Sequence, residues 1–310
     1  MLTTTQGLLL VMAMIEFFIG LLGNGALVVW SLGEWARPAG QSTYGYIVLG
    51  LAASRFLLQW LIMVDLILFP CFQNSRWLRY HSVAWVFVSQ ASLWFTAFLS
   101  IFYCLKISTC RHPACAWLKQ RAYRVSLWGL LGYCIITLIL VGHVTRKDHY
   151  TSAWGNSSVP QPFLNQHYTY LLKLNSGSFL PFSLFLLYSG MLMLSLYRHH
   201  LKMQAFWVGR RDPQARAHIK ALSCLGCFLV LHIVYVLASP FSISAKSYPP
   251  DLTSVFFSET IMAASPSLHS VVLVLGNQRI KQSGKRVLQK LQRWWGVTWG
   301  QGCTGRSRCS

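Results

Sequence analysis

The sequence predicts an all-α membrane protein, a seven-transmembrane helix bundle with its N-terminus outside and its C-terminus cytosolic. Three observations predict it. Seven apolar stretches run near residues 7–30, 46–69, 83–105, 125–144, 171–196, 219–241 and 253–275; basic residues gather on one side of them; and a glycosylation triplet falls on the other. A hydrocarbon core of ~30 Å is crossed by roughly 20 helical residues, so every stretch is long enough to span it. Seven spans in 310 residues leave only short loops and a tail, which places function inside the bundle or at its rims.

The formal charge of +20 would point to nucleic acid in a soluble chain, but here it is read loop by loop. With the N-terminus outside, most of the 27 Lys and Arg fall on the inner side: Arg37, the group from Lys106 to Arg124, the group from Arg198 to Lys220, and the tail from Arg279 to Arg308. Arg76, Arg79, Arg146, Lys147, Lys173 and Lys246 are placed outside or at the outer boundary, and Arg55 within a span. This asymmetry obeys the positive-inside rule. No nucleic-acid partner is expected; membrane lipids are, since an anionic inner leaflet attracts each nearby basic residue by about 1 kcal/mol. The triplet Asn156-Ser157-Ser158, between spans four and five, then lies outside and offers Asn156 for glycosylation.

The apolar run at the N-terminus lacks a basic n-region and exceeds the ~7–15 residues of a signal-peptide core, so it reads as the first span. Residues 1–276 form the seven-helix domain. In 277–295, Ile280, Val287, Leu288, Leu291, Trp294 and Trp295 recur at helical spacing among Lys and Arg, which predicts a basic amphipathic helix in the inner interface. The Gly-, Ser- and Arg-rich piece 296–310 is expected to be a disordered cytoplasmic tail. Only Cys71 lies near the outer surface, so no disulfide is expected there.

Polar residues inside spans are costly, and they mark the candidate site. Arg55 stands about eleven residues from the inner end of span two, ~16 Å at the helical rise, too deep to reach the interface. It is expected to face the bundle as a polar clamp met by groups such as Asn24, Ser54 or Ser270. Glu16, Asp65 and Glu259 all fall in the outer half of their spans. Their common depth argues for a polar cavity open to the outside, although Glu16 equally suits a boundary position. On span three Trp85, Ser89 and Leu93 share a face with Gln90 beside them, where an indole above small polar groups can hold an apolar ligand by its polar handle. An aromatic-belt position for Trp85 is the alternative. Pro181 and Pro266 are expected to kink spans five and seven. His218, His232 and His269 are scattered over the spans without acid partners, and no metal or phosphate-loop pattern occurs. No cofactor and no enzyme activity are expected.

Five stretches, in order along these helices, carry a resemblance. They are Leu49-Gly50-Leu51-Ala52-Ala53-Ser54-Arg55-Phe56, Leu99-Ser100-Ile101-Phe102-Tyr103-Cys104-Leu105-Lys106-Ile107, Ser195-Leu196-Tyr197-Arg198-His199, Ala217-His218-Ile219-Lys220-Ala221-Leu222 and Pro266-Ser267-Leu268-His269-Ser270. Together they resemble the bitter taste receptors, the type 2 taste receptor family of G-protein-coupled receptors. The stretches Arg55–Trp60, Ser75–Tyr80 and Tyr248–Val255 most resemble one particular member.

The resemblance implies bitter small-molecule agonists, a gustducin-type heterotrimeric G protein, the plasma membrane, and a glycan on the second outer loop. It implies an outer cavity at Trp85, Ser89, Gln90, Tyr235 and Glu259, with Asp65 beside them; the family usually has Asn where Ser89 stands. Asn24, Arg55 and Ser270 are expected in the switch, and Tyr103, Lys106, His218 and Lys220 where a G protein docks. With Asp65 and Glu259 in the cavity, ligands carrying a cation or hydrogen-bond donors are expected to be favoured. The rival reading is a transporter or channel whose path is lined by Arg55, Asp65 and Glu259.

Overall fold

The computed structural model describes residues 3–36, 43–72, 75–107, 124, 128–135, 137–139, 142, 161–206, 213–247, 249–276 and 289. All of its regular elements are helical. They are α1 (Thr4–Trp35), α2 (Thr43–Phe72), α3 (Arg76–Ile107), the described part of a shorter apolar helix α4 (Trp128–Ile139), α5 (Gln161–Asn175), α6 (Phe179–Phe206), α7 (Pro213–Ala245) and α8 (Leu252–Gly276). Six segments are long and apolar enough to cross a bilayer, and they coincide with six of the seven expected spans. The fourth span is the short α4, much of whose surroundings lies outside the described residues. The six spanning segments overrun their apolar stretches, because polar residues at the ends extend the hydrogen-bond ladder beyond the hydrocarbon.

Helix α1 shows how the pattern becomes packing. Its Thr3 hydroxyl accepts from the Gln6 amide at 3.3 Å while the Gln6 side chain accepts from the Thr3 amide at 3.0 Å, a reciprocal cap. Its buried residues Gln6, Ala13, Phe17, Gly20, Asn24, Leu27 and Ser31 recur every three or four positions and so form one stripe. Leu8, Val11, Ile15, Phe18, Leu22 and Val29 point away from it and are exposed, as lipid-facing side chains are. The stripe lies against α2 and α8; α2 also packs on α3, α3 on α6, and α7 bridges α6 and α8, which closes the bundle. Helix α4 rests on α3, where the Tyr133 ring stacks on Phe87 at 6.0 Å.

The expected kink at Pro181 appears as a break. A three-residue 3-10 turn, Ser176–Ser178, separates α5 from α6. Pro181 has no N–H for the Gly177 carbonyl and its ring crowds that carbonyl, so the backbone tightens there. Pro266 lies inside α8, as expected, and Pro70 and Pro240 are two further helix-internal prolines. At the start of α8, Asp251 accepts from the Thr253 amide at 3.0 Å and the Ser254 hydroxyl at 2.5 Å. The Ser254 bond chiefly holds this carboxyl below the usual carboxylate range. The cap is therefore complete at neutral pH and is lost only as pH falls through that lowered value.

Close approach of α1 to its neighbours requires a glycine. A side chain at Gly20 would strike the Gln59 amide and the Ser267 hydroxyl, whereas one at Gly7 meets nothing. Gly20→Val should lower the amount of the protein at the cell surface several-fold, and Gly7→Val should not. Surface labelling of tagged cells checks this, and equal loss from both changes contradicts it.

Candidate functional site

One rim of the bundle carries the start of α1, α3 and α8 and the ends of α2 and α7; it is called here the Thr4 rim. Beneath it four elements bring charge together. Lys246, the first residue after α7, donates its ammonium to both Asp65 of α2 and Glu259 of α8. The Ser242 hydroxyl of α7 donates to the same Glu259 oxygen at 3.1 Å, and His81 Nδ1 of α3 lies 3.7 Å from the other Asp65 oxygen. The ammonium also sits 5.7 Å from the Trp85 ring centroid and 5.6 Å from that of Phe69, within cation–π range. Lys246, Asp65 and Glu259 are 5, 4 and 1% exposed, so Lys246 closes the acids off rather than leaving them on an open vestibule. Asp65 Oδ1 and Glu259 Oε2 are buried with no hydrogen-bond partner.

Lys246 thus stands at the end of its span, where the sequence placed it, but its side chain turns inward and is buried. The chain turns sharply after α7, with Asp251 N–H donating to Ala245 O at 2.9 Å, and Pro250 cannot continue the helix. Lys246 is thereby held at the bundle wall, and the aromatic rings give its stem an apolar bed. Desolvated acids on α2 and α8 supply the reason for it to point inward.

One layer deeper, Ser89 and Tyr235 share a hydrogen bond of 2.6 Å, both fully enclosed. Gln90, expected in the cavity, donates its amide to Leu174 O at 2.6 Å. That carbonyl is one that the 3-10 break releases from the α-helical ladder, and Gly177 lets the Gln90 amide approach within 3.2 Å of where a side chain would begin. Asn175 Oδ1 accepts from Ser239 of α7 at 3.0 Å and from Ser178 at 3.4 Å, so the break is tied to two other helices. Trp85 is 4% exposed in the core, not in an aromatic belt.

At mid-bundle the polar clamp exists, with different members. Arg55 donates to Ser92 at 3.4 Å and Thr96 at 3.1 Å, both on α3, instead of engaging Asn24, Ser54 or Ser270. The Ser54 hydroxyl turns back to Leu51 O, and Ser270 to Ser267 O. Asn24 joins α1 to the Pro266 carbonyl of α8 at 3.3 Å. Gln59, missed in the sequence, donates to Ser267 at 2.5 Å and Ala263 O at 3.0 Å, and the Ser267 hydroxyl lies 2.6 Å from the backbone carbonyl of Glu16. The signal was present: Gln59 lies one turn from Arg55 on the same face. Glu16 itself is half-buried.

At the opposite rim the Tyr103 hydroxyl donates to Tyr44 at 3.3 Å, joining α3 to the start of α2. Lys106, His218 and Lys220 lie on α3 and α7 at the same rim, and their side chains fall outside the described part. Asn156 lies outside the described residues, as does the tail apart from residue 289. Cys71, Cys104, Cys134, Cys224 and Cys227 are free thiols.

The bundle has the fold of the heptahelical G-protein-coupled receptors: it superposes on the crystal structure of squid rhodopsin with a TM-score of 0.56 at 13% identity, covering 91% of this chain and 85% of that one. Residues 1–292 match the family model described as "Taste receptor protein (TAS2R)". Taste receptor type 2 member 5 of Pan paniscus is 58% identical over 96% of this chain and 100% of its own length, and that of Papio hamadryas 59% over the same shares. Taste receptor type 2 member 10 of Papio hamadryas is 35% identical over 94% of this chain and 96% of its own. The chain belongs to the taste receptor type 2 family, and the member that its three stretches resembled is member 5. It is a multi-pass plasma-membrane receptor and not an enzyme.

If Gln90 is a tie to the broken helix, Gln90→Leu leaves the Leu174 carbonyl unpaired and costs about 1–3 kcal/mol. Thermal inactivation should come earlier while the rank order of agonists stays the same. An altered rank order at unchanged stability would instead make Gln90 a ligand contact.

Proposed function

We propose that this receptor detects bitter small molecules at the Thr4 rim, which faces outside, and couples at the opposite rim to a gustducin-type heterotrimeric G protein. The agonist enters among α2, α3, α7 and α8 and engages Asp65, Trp85, Ser89, Tyr235 and Glu259. The observation that carries this reading is the convergence of Asp65, Glu259, Lys246 and His81 from separate elements beneath one rim. Such a cluster is sensitive to any ligand that competes for its hydrogen bonds, and small shifts there alter how four elements sit. Two acids share one ammonium, which favours ligands that bring donors.

Activation requires only that the agonist bind one arrangement of the helices better than another. A 100-fold preference shifts the equilibrium by about 2.7 kcal/mol. The mid-bundle hydrogen bonds of Arg55, Asn24, Gln59 and Ser267 around Pro266 are the element with alternative pairings that such a preference biases. At the opposite rim Tyr103, Lys106, His218 and Lys220 offer the G protein aromatic and basic groups. The positive-inside distribution supports this orientation, with Asn156 glycosylated outside and 277–295 lying as a basic helix on the inner leaflet.

A transport path through Arg55, Asp65 and Glu259 finds no support. Arg55 is bonded to α3, the acids are closed by Lys246, and the fully buried Leu58 and Ile62 stand between them on α2.

The test is calcium release in cells co-expressing the receptor and a chimeric gustducin-type G protein, screened with bitter compounds. Glu259→Gln should weaken agonists carrying a cation or strong donor about ten-fold or more, which corresponds to one lost charge-assisted contact of about 1.4 kcal/mol or more. Neutral agonists should respond as before; equal loss for both kinds contradicts the ligand assignment.

A further inference from the structure

We infer that Asp65 and Glu259 form an ammonium-binding subsite that the receptor fills with its own Lys246, and that a ligand's protonated amine takes the place of this side chain. The inference rests on the proposed outer-rim binding site and adds the ligand class and the residue that competes with it.

The chemistry of an ammonium site is complete in this cluster. Two carboxylates from different helices share one primary ammonium, and two aromatic rings face that cation. A primary ammonium has three protons, and here two are taken by carboxylates while the rings face its positive surface. Nothing in this arrangement is specific to lysine's backbone; it recognises an alkylammonium head on an apolar stem. Lys246 engages one oxygen of each acid, which leaves Asp65 Oδ1, with His81 Nδ1 3.7 Å away, and Glu259 Oε2 outside its grasp.

The occupant is also the one member able to leave. Asp65 and Glu259 are set within the lengths of α2 and α8, two turns or so from their ends, and cannot withdraw without moving a helix. Lys246 stands at the first position of a turn, on a flexible four-carbon stem beside the rim. Its departure carries one positive charge to solvent as the ligand brings one in, so the buried charge is unchanged and no acid is left unpaired.

Exchange has a structural consequence. With Lys246 in place, α7 is joined to both α2 and α8; with a ligand ammonium in place, α2 and α8 remain joined to each other, while α7 loses this link to α2 and holds Glu259 of α8 through Ser242. An amine therefore acts on α7 in a way that a neutral ligand does not.

Chemical rescue tests this in the purified full-length receptor, without G protein, so its outcome is independent of the coupling experiment. Lys246→Ala removes the segment that n-propylammonium matches in length and charge. The variant should lose thermal stability, and n-propylammonium at about ten times its dissociation constant should raise the midpoint by roughly 2–4 °C, with n-propanol giving no such rise. Lys246→Gln, which keeps most of the stem's packing, should show the same preference for amine over alcohol and serves if the alanine variant is not recovered folded. Equal effects of amine and alcohol, or no effect of the amine on a folded variant, overturns the inference.

Discussion

The ammonium of Lys246 shared between Asp65 and Glu259 is the constraint on which the Thr4 rim depends. Charges removed from water are tolerable only while paired, and removing one partner from such a cluster costs several kcal/mol because the others remain buried. This obliges the turn after α7 to stay against α2 and α8, and it draws Trp85 and Phe69 around the cation. The Ser89–Tyr235 bond then lies directly beneath as a second joint between α3 and α7. Ligand recognition and helix placement consequently share the same atoms.

Below this level the bundle is held by neutral hydrogen bonds and by Arg55. In an apolar interior a hydrogen bond has no competing water, so the choice among partners decides the geometry. Pro266 is central because its position in α8 is surrounded by borrowed partners: Asn24 reaches its carbonyl, Gln59 reaches Ala263, and Ser267 connects to Glu16 O. The second proline, Pro181, is handled in the same manner, with Gln90 and Ser239 supplying bonds around the 3-10 turn. Both proline sites thus join helices that a regular ladder would leave independent. A change in charge pairing at the rim reaches them through α2, α7 and α8.

Much of this was legible in the sequence. Length and apolarity fixed the spans, since a bilayer admits few alternatives, and polar residues at improbable depths identified Asp65, Glu259 and Arg55 as inward-facing. What pairs with what was not legible. Lys246 reads as an interfacial lysine because its distance from Asp65 along the chain conceals a turn that brings them together. Arg55 reads as meeting groups such as Asn24, Ser54 or Ser270, but the face it occupies on α2 is turned to α3, where Ser92 and Thr96 repeat at helical spacing. Gln90 shares a turn with Ser89 yet points to a different neighbour, a distinction that depends on the rotation of α3 against the break before α6. Periodicity gives a face; only packing shows which helix that face meets.

The central claim, that Lys246 and Glu259 are coupled inside the bundle, is tested most directly by a double-mutant cycle on the thermal stability of the purified receptor. Lys246→Met, Glu259→Gln and the double variant should yield a coupling energy of about 1–3 kcal/mol, with the double variant more stable than additivity of the two losses allows. A coupling energy near zero would mean that the two side chains do not meet, and the arrangement described at the Thr4 rim would be wrong.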